Sequence, residues 1–153
     1  MKARVIATTL LFIAGAAACL AEDANLGTWK LNEEKSKFSA GAPKSTMVVY
    51  EAAGDSIKVT IDGTSGDGKP THTEWTGKFD GRDYPVTGDS NQSARSYTKA
   101  NARTMKFKVK NGEKVTLSGS IVIAADGKSR TVTASGTSAD GKKVSYTAMY
   151  DKQ

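Results

Sequence analysis

The sequence predicts an all-β domain, a single up-and-down antiparallel β-barrel of eight to ten strands. Three observations carry that prediction. Apolar and polar residues alternate through most of the chain, the period of a half-buried strand. The alternating runs are separated by short turns rich in Gly, Asn and Asp, which join neighbours in sequence as neighbours in space. No stretch longer than a turn or two has the period of an amphipathic helix. Many short strands in sequential hairpins give a sandwich or a barrel, and closure removes the exposed edges that so β-rich a chain must otherwise manage. A two-sheet sandwich of the same strands is the alternative.

In chain order, residues 1–21 read as a signal peptide. Lys2 and Arg4 give a basic start, and Val5 to Ala18 form an apolar stretch short for a bilayer span. The small residues Cys19 and Ala21 suit cleavage before Glu22. The domain is then 22–153, and its expected location is the periplasm or the extracellular space. "AAAC" at 16–19 loosely resembles a bacterial lipobox, although Ala16 stands where that motif usually has Leu. That alternative would leave the protein lipid-anchored through Cys19, the one cysteine of the chain.

The first strand is expected at about 26–32, with Trp29 near its start. Residues 33–45, "EEKSKFSAGAPKS", leave room for a short helical turn before Pro43. Strands at 45–52 and 56–64 follow, and in the second Ile57, Val59 and Ile61 share a face opposite Lys58 and Thr60. Next come strands at 70–79, 82–88 and 93–99. On the last of these Arg95, Tyr97 and Lys99 share a face, either turned inward or forming an exposed basic strip. The run at 104–110 sets Met105, Phe107 and Val109 against Lys106, Lys108 and Lys110. The run at 114–124 aligns Val115, Leu117, Gly119, Ile121 and Ile123, and strands at 129–138 and 143–151 complete the ten. The last aligns Val144, Tyr146, Ala148 and Tyr150. "VTIDGTSGDGK" (59–69) and "VTASGTSADGK" (132–142) agree at eight of eleven positions, two strand–turn–strand units built alike.

The two ends of the domain carry a family resemblance. "GTWKL" (27–31) resembles the opening strand of the calycin group, the lipocalins and fatty-acid-binding proteins, whose mark there is Gly-x-Trp. "YTAMYDKQ" (146–153) is similar to the closing strand of fatty-acid-binding proteins. The resemblance implies a calycin-like barrel with Trp29 as a structural plug across one end, which suits a large ring that buries much area at once. It also implies a ligand inside the barrel. The chain departs from the family in three places. Ala148 stands where an Arg would clamp a ligand carboxylate. Too few residues separate the first two strands for a helical lid. Only Lys152 and Gln153 follow the last expected strand, which leaves no room for the lipocalin helix.

Inward-facing apolar positions make the expected lining Ile57, Val59, Ile61, Trp75, Tyr84, Phe107, Leu117, Ile121, Tyr146 and Tyr150, with Met105 beside them. Arg95 and Tyr97 join this set where their face turns inward, and Arg95 then replaces the missing clamp. Small residues at Gly119, Ala134 and Gly136 are expected to leave room for a cavity. The expected function is non-enzymatic binding of a small lipophilic molecule by a monomer. A barrel filled by its own side chains, serving as a structural or protein-interaction module, is the alternative.

Other chemistries find little to work with. The one histidine, His72, sits between two threonines on a strand, a surface setting, so no metal site and no Ser–His–acid triad is expected. The glycines fall in hairpin turns and not in a phosphate-cradling loop, and no cofactor is expected. The net charge of +6, part of which leaves with the leader, is spread over alternating Lys and Asp. That is a solvated surface and not a nucleic-acid footprint. No second apolar run is long enough to span a membrane.

Overall fold

The computed structural model describes residues 23–153, so the expected signal peptide, the expected cleavage site and Cys19 lie outside the described residues. Ten strands run in chain order: β1 (Gly27–Phe38), β2 (Lys44–Ala53), β3 (Ser56–Thr64), β4 (Pro70–Gly77), β5 (Tyr84–Thr87), β6 (Ala94–Lys99), β7 (Thr104–Asn111), β8 (Lys114–Ile123), β9 (Ser129–Thr137) and β10 (Lys143–Lys152). Each pairs antiparallel with its sequence neighbours, and β1 pairs with β10 to close the barrel. Trp29 lies opposite Lys152 and Leu31 opposite Tyr150 across that seam. All ten expected strands form, and no helix forms among the described residues. None of those residues therefore belongs to a helix long and apolar enough to cross a membrane.

Period two is read out directly. Met105, Phe107 and Val109 are buried while Lys106 and Lys108 are exposed. Two hairpins are as tight as the sequence expects: Gly54-Asp55 joins β2 to β3, and Gly112-Glu113 joins β7 to β8. In each, the glycine takes the positive φ of the first turn position, 64° at Gly54 and 59° at Gly112, which the right-handed strand twist demands. Asn111 is thus the last strand residue, not part of the turn.

Two expectations are corrected. Residues 33–36 do not form a free helical turn but an enlarged bulge inside β1. Asn32 faces Met149 and Lys37 already faces Thr147, so the intervening residues loop out. The loop is held by its own polar groups. Lys35 N–H donates to Asn32 Oδ1 (3.2 Å), and the Ser36 hydroxyl donates to Asn32 O (2.6 Å) while accepting from Met149 N–H (2.9 Å). The second correction is at β8, where Val115 does not share the inward face of Leu117. The register slips between Val109 and Lys110, leaving Thr116 as the extra residue, so Thr116 turns inward and Val115 stands 44% exposed.

Turns alternate between the two ends of the barrel. The loops at 39–43, 65–69, 88–93, 112–113 and 138–142 crowd one end; the opposite end carries the remaining turns and both ends of the described chain. The core sits toward that second end. Trp29 is fully buried there, its Nε1 donating to Asn25 O (2.8 Å). Above it Trp75, Phe79, Tyr97 and Tyr50 form an aromatic layer, with Trp75 stacked on Phe79 and edge-on to Tyr97 at 4.9 Å.

Candidate functional site: the barrel interior

A cavity of about 690 Å³ enters the barrel from the loop-crowded end. The Trp29 end is closed, which makes the mouth the route in. Apolar walls come from Val48 on β2, Ile61 on β3, Phe107 and Val109 on β7, Leu117 and Ile121 on β8, Val132 on β9 and Val144 on β10. The volume suits one drug-sized molecule.

Of the expected lining residues, Ile61, Arg95, Tyr97, Phe107, Leu117, Ile121, Tyr146 and Tyr150 do face this cavity. Ile57, Val59, Trp75 and Tyr84 do not, and Met105, expected beside them, is likewise buried in the core away from it. Val59 and Trp75 are buried in the layer beneath it, where Trp75 Nε1 donates to Arg95 O (2.9 Å). Ile57 sits at the β2–β3 turn of the plugged end, packed on the edge of the core. Tyr84 lies edge-on to Trp75 at 5.6 Å and donates its hydroxyl outward to Asp80 (2.9 Å). Strand alternation gives the inward face but not the depth along the barrel axis, and depth separates these residues from the rest.

Gly119, Ala134 and Gly136 also miss the cavity wall. A Cβ on Gly119 would sit 2.1 Å from Thr133 O, and one on Gly136 would sit 2.0 Å from Thr116 O. Their small size lets β8 and β9 approach closely; it does not hollow the interior. His72 is exposed on the outer face of β4, as expected, with Nδ1 2.6 Å from Asp62 Oδ1.

The structure adds residues that the expected lining lacks, among them Tyr50, Thr73, Thr116 and above all Arg130. Arg130 is 2% exposed. Its guanidinium carbon lies 4.7 Å from the Trp29 ring centroid, 4.9 Å from that of Tyr150 and 5.1 Å from that of Tyr50. The signal is there in "SRTVTAS" (129–135), where Arg130 falls in phase with Val132 and Ala134 on the inward face. Arg95 also turns inward, so the exposed-strip alternative for its face fails at that residue. Nη1 donates to Tyr97 Oη (3.1 Å) and Nη2 to Gln92 Oε1 (2.8 Å). Lys99, the third residue of that face, is exposed near the plugged end and pairs with Asp23 at 2.6 Å.

Three interior phenols, those of Tyr50, Tyr146 and Tyr150, are kept neutral by burial. Burial pushes the Tyr146 phenol up to about 12, and burial likewise raises those of Tyr50 and Tyr150. At the rim, the Ser65 hydroxyl and then Lys69 hold the Asp67 carboxyl down at about 2, and Ser138 and Lys142 lower that of Asp140. These two turns are the near-repeat of the sequence. They serve as matching lips, with Ser65 N–H donating to Lys69 O and Ser138 N–H to Lys142 O.

Tyr150 donates its hydroxyl to Ser45 O (2.8 Å), so Tyr150→Phe loses one hydrogen bond and keeps the ring. The expected stability loss, read by urea denaturation, is about 1 kcal/mol. The hydrogen bond from His72 to Asp62 raises the imidazole pKa above 6.5. A raised folded pKa means that the stabilisation from this pair is fully present below the unfolded pKa and fades as pH rises through the folded one. The ring's NMR titration midpoint is expected above 6.5 and should fall in Asp62→Asn.

Fold and cavity together define the class: a ten-stranded, closed, up-and-down antiparallel β-barrel with an internal cavity open at one end. Comparison with known proteins adds similar shapes and no family. No family model matches the chain, and no curated protein does. Among solved structures it is similar to designed barrels. A redesigned β-barrel, mFAP1, bound to DFHBI, is 14% identical, with a TM-score of 0.43 over 84% of this chain and 95% of that one. EF1p2_mFAP2b, bound to DFHBI, is 13% identical, with a TM-score of 0.46 over 85% and 94%. A fluorescence-activating β-barrel designed de novo is 12% identical, with a TM-score of 0.40 over 84% and 93%. The barrel assignment stands on this chain's own strand pairing.

Proposed function

We propose that this chain is a calycin-like binding protein that holds a small lipophilic molecule in its barrel. It works without catalysis, as a monomer, in the periplasm or outside the cell. The observation that carries the reading is the 690 Å³ cavity, apolar on most of its wall and open at the end opposite Trp29. The Gly27-Thr28-Trp29 strand and the full burial of Trp29 support the calycin likeness. The basic and apolar leader of residues 1–21 supports export, and lipid attachment at Cys19 is the other route the sequence offers.

The test is uptake of N-phenyl-naphthylamine, an uncharged dye that brightens in apolar surroundings. The folded monomer is expected to bind it and to release it to competing lipids. Leu117→Trp, which fills cavity space, is expected to weaken that binding by about tenfold or more, the equivalent of about 1.4 kcal/mol. Val122→Trp, on the outer face, is expected to leave it unchanged. A folded monomer that takes up no dye would return the barrel to the structural or interaction role.

A further inference from the structure

We propose that the barrel is a receptor for organic anions: its ligand carries, beside an apolar body, one anionic head group that seats against Arg130 on the cavity floor, with Arg95 on the wall nearer the mouth. This rests on the binding reading above and names the chemistry of what is bound.

Two guanidiniums face one cavity without a counter-ion. Arginine keeps its charge in any protein setting, so burial cannot be relieved by losing a proton. Among the described residues no carboxylate lies within ion-pair distance of either side chain. The three rings around Arg130 offer their faces to its charge, worth something as cation–π contacts. Rings do not accept its in-plane N–H groups, however. Nε and Nη1 of Arg130, and Nε of Arg95, are shut off from solvent and make no hydrogen bond among the described residues. A buried donor left unmade is costly, and a buried unpaired charge more so.

The neighbouring groups supply only neutral oxygens and no counter-charge: the Tyr50 phenol lies close enough to Arg130 to interact with it, and Tyr97 Oη and Gln92 Oε1 accept from Arg95. The phenols of Tyr50, Tyr146 and Tyr150 are raised by burial and stay protonated. The rim carboxylates are engaged in their own loops: Asp67 with Ser65 and Lys69, Asp140 with Ser138 and Lys142, Asp89 with Asn91 N–H and Gln92. What fits is an oxyanion with several lone pairs, the partner that guanidinium edges bind best. Carboxylate, sulfonate and phosphate share that chemistry. The way down is lined with rings. From Arg130, Tyr50 is 5.1 Å away, Tyr97 a further 6.4 Å, and Arg95 6.0 Å beyond that ring. An apolar body therefore lies along an aromatic wall between the two cations.

The test compares two dyes on one hydrocarbon frame, anilinonaphthalene sulfonate and its uncharged parent N-phenyl-naphthylamine. Wild-type protein is expected to bind the sulfonate at least about tenfold tighter. Arg130→Met is expected to lose that preference while holding the parent dye within about threefold, and Arg95→Met to lose part of it. Lys108→Gln, on the outer face, should change neither. Decanoate, decanesulfonate and decyl phosphate are then ranked as displacers against decanol, which identifies the head group. Because Arg130 also stacks on the plug, each variant is melted first. Should Arg130→Met fail to fold, the wild-type comparison and Arg95→Met decide. Equal affinity of the wild type for both dyes, a preference that survives in folded arginine variants, or a preference abolished by Lys108→Gln overturns the anion proposal and leaves the binding reading standing. Uptake of neither dye overturns both.

Discussion

Trp29→Ala loses about 3–5 kcal/mol of stability, the usual result of deleting a fully buried large aromatic ring. Single domains hold roughly 5–15 kcal/mol in total, so the variant sits near the edge of folding. The ring here is fully buried and carries more than area. Arg130 lies over it at 4.7 Å and Lys152 Nζ at 5.2 Å, and its Nε1 is the donor to Asn25 O. Removing it opens the barrel floor beneath a buried cation. Urea denaturation measures the loss. A variant as stable as wild type would sink the plug assignment.

Gly136→Val is the second large effect, and it comes from the backbone. A Cβ at this position would stand 2.0 Å from Thr116 O and 2.8 Å from Leu117 Cα. Overpacking a core costs about 1–3 kcal/mol when side chains can give way. Here the obstacle is the neighbouring strand itself, at the β8 bulge, so the expected loss is at or beyond the top of that range, on the order of 3 kcal/mol. The same denaturation series reads it, with amide exchange across β8 and β9 showing where pairing loosens. Unchanged stability and exchange would mean that the strands have room the close approach denies.

The strand order and most strand bounds are legible in the sequence because each inward residue must alternate with an outward one and each hairpin needs its glycine. Met105, Phe107 and Val109 illustrate this: once their strand is placed, their burial follows. What escapes are features that break the period. The bulge at residues 33–36 depends on Asn32 and Ser36 offering hydrogen bonds to the backbone, a local arrangement that hydrophobic patterning does not register. Thr116 and Val115 exchange faces for a similar reason. The candidate site is half legible. Ile61, Phe107, Leu117, Ile121, Tyr146 and Tyr150 follow from face, whereas face alone misplaces Trp75 and Val59, because depth depends on barrel tilt and closure. Arg130 escapes because a charged residue in an apolar phase reads as an interruption until the ring cluster around it is seen.

The closing seam between β1 and β10 also decides how the molecule can be held. Asp23 and Gln153 both emerge beside Trp29, where Gln153 N–H donates to Thr28 O (2.9 Å) and Lys99 reaches Asp23. The described chain therefore both begins and ends at the sealed base of the barrel. A leash attached there, whether a lipid or a fused partner, would let the barrel stand on its base like a cup, its rim turned away from the surface that holds it and its interior free to fill and empty.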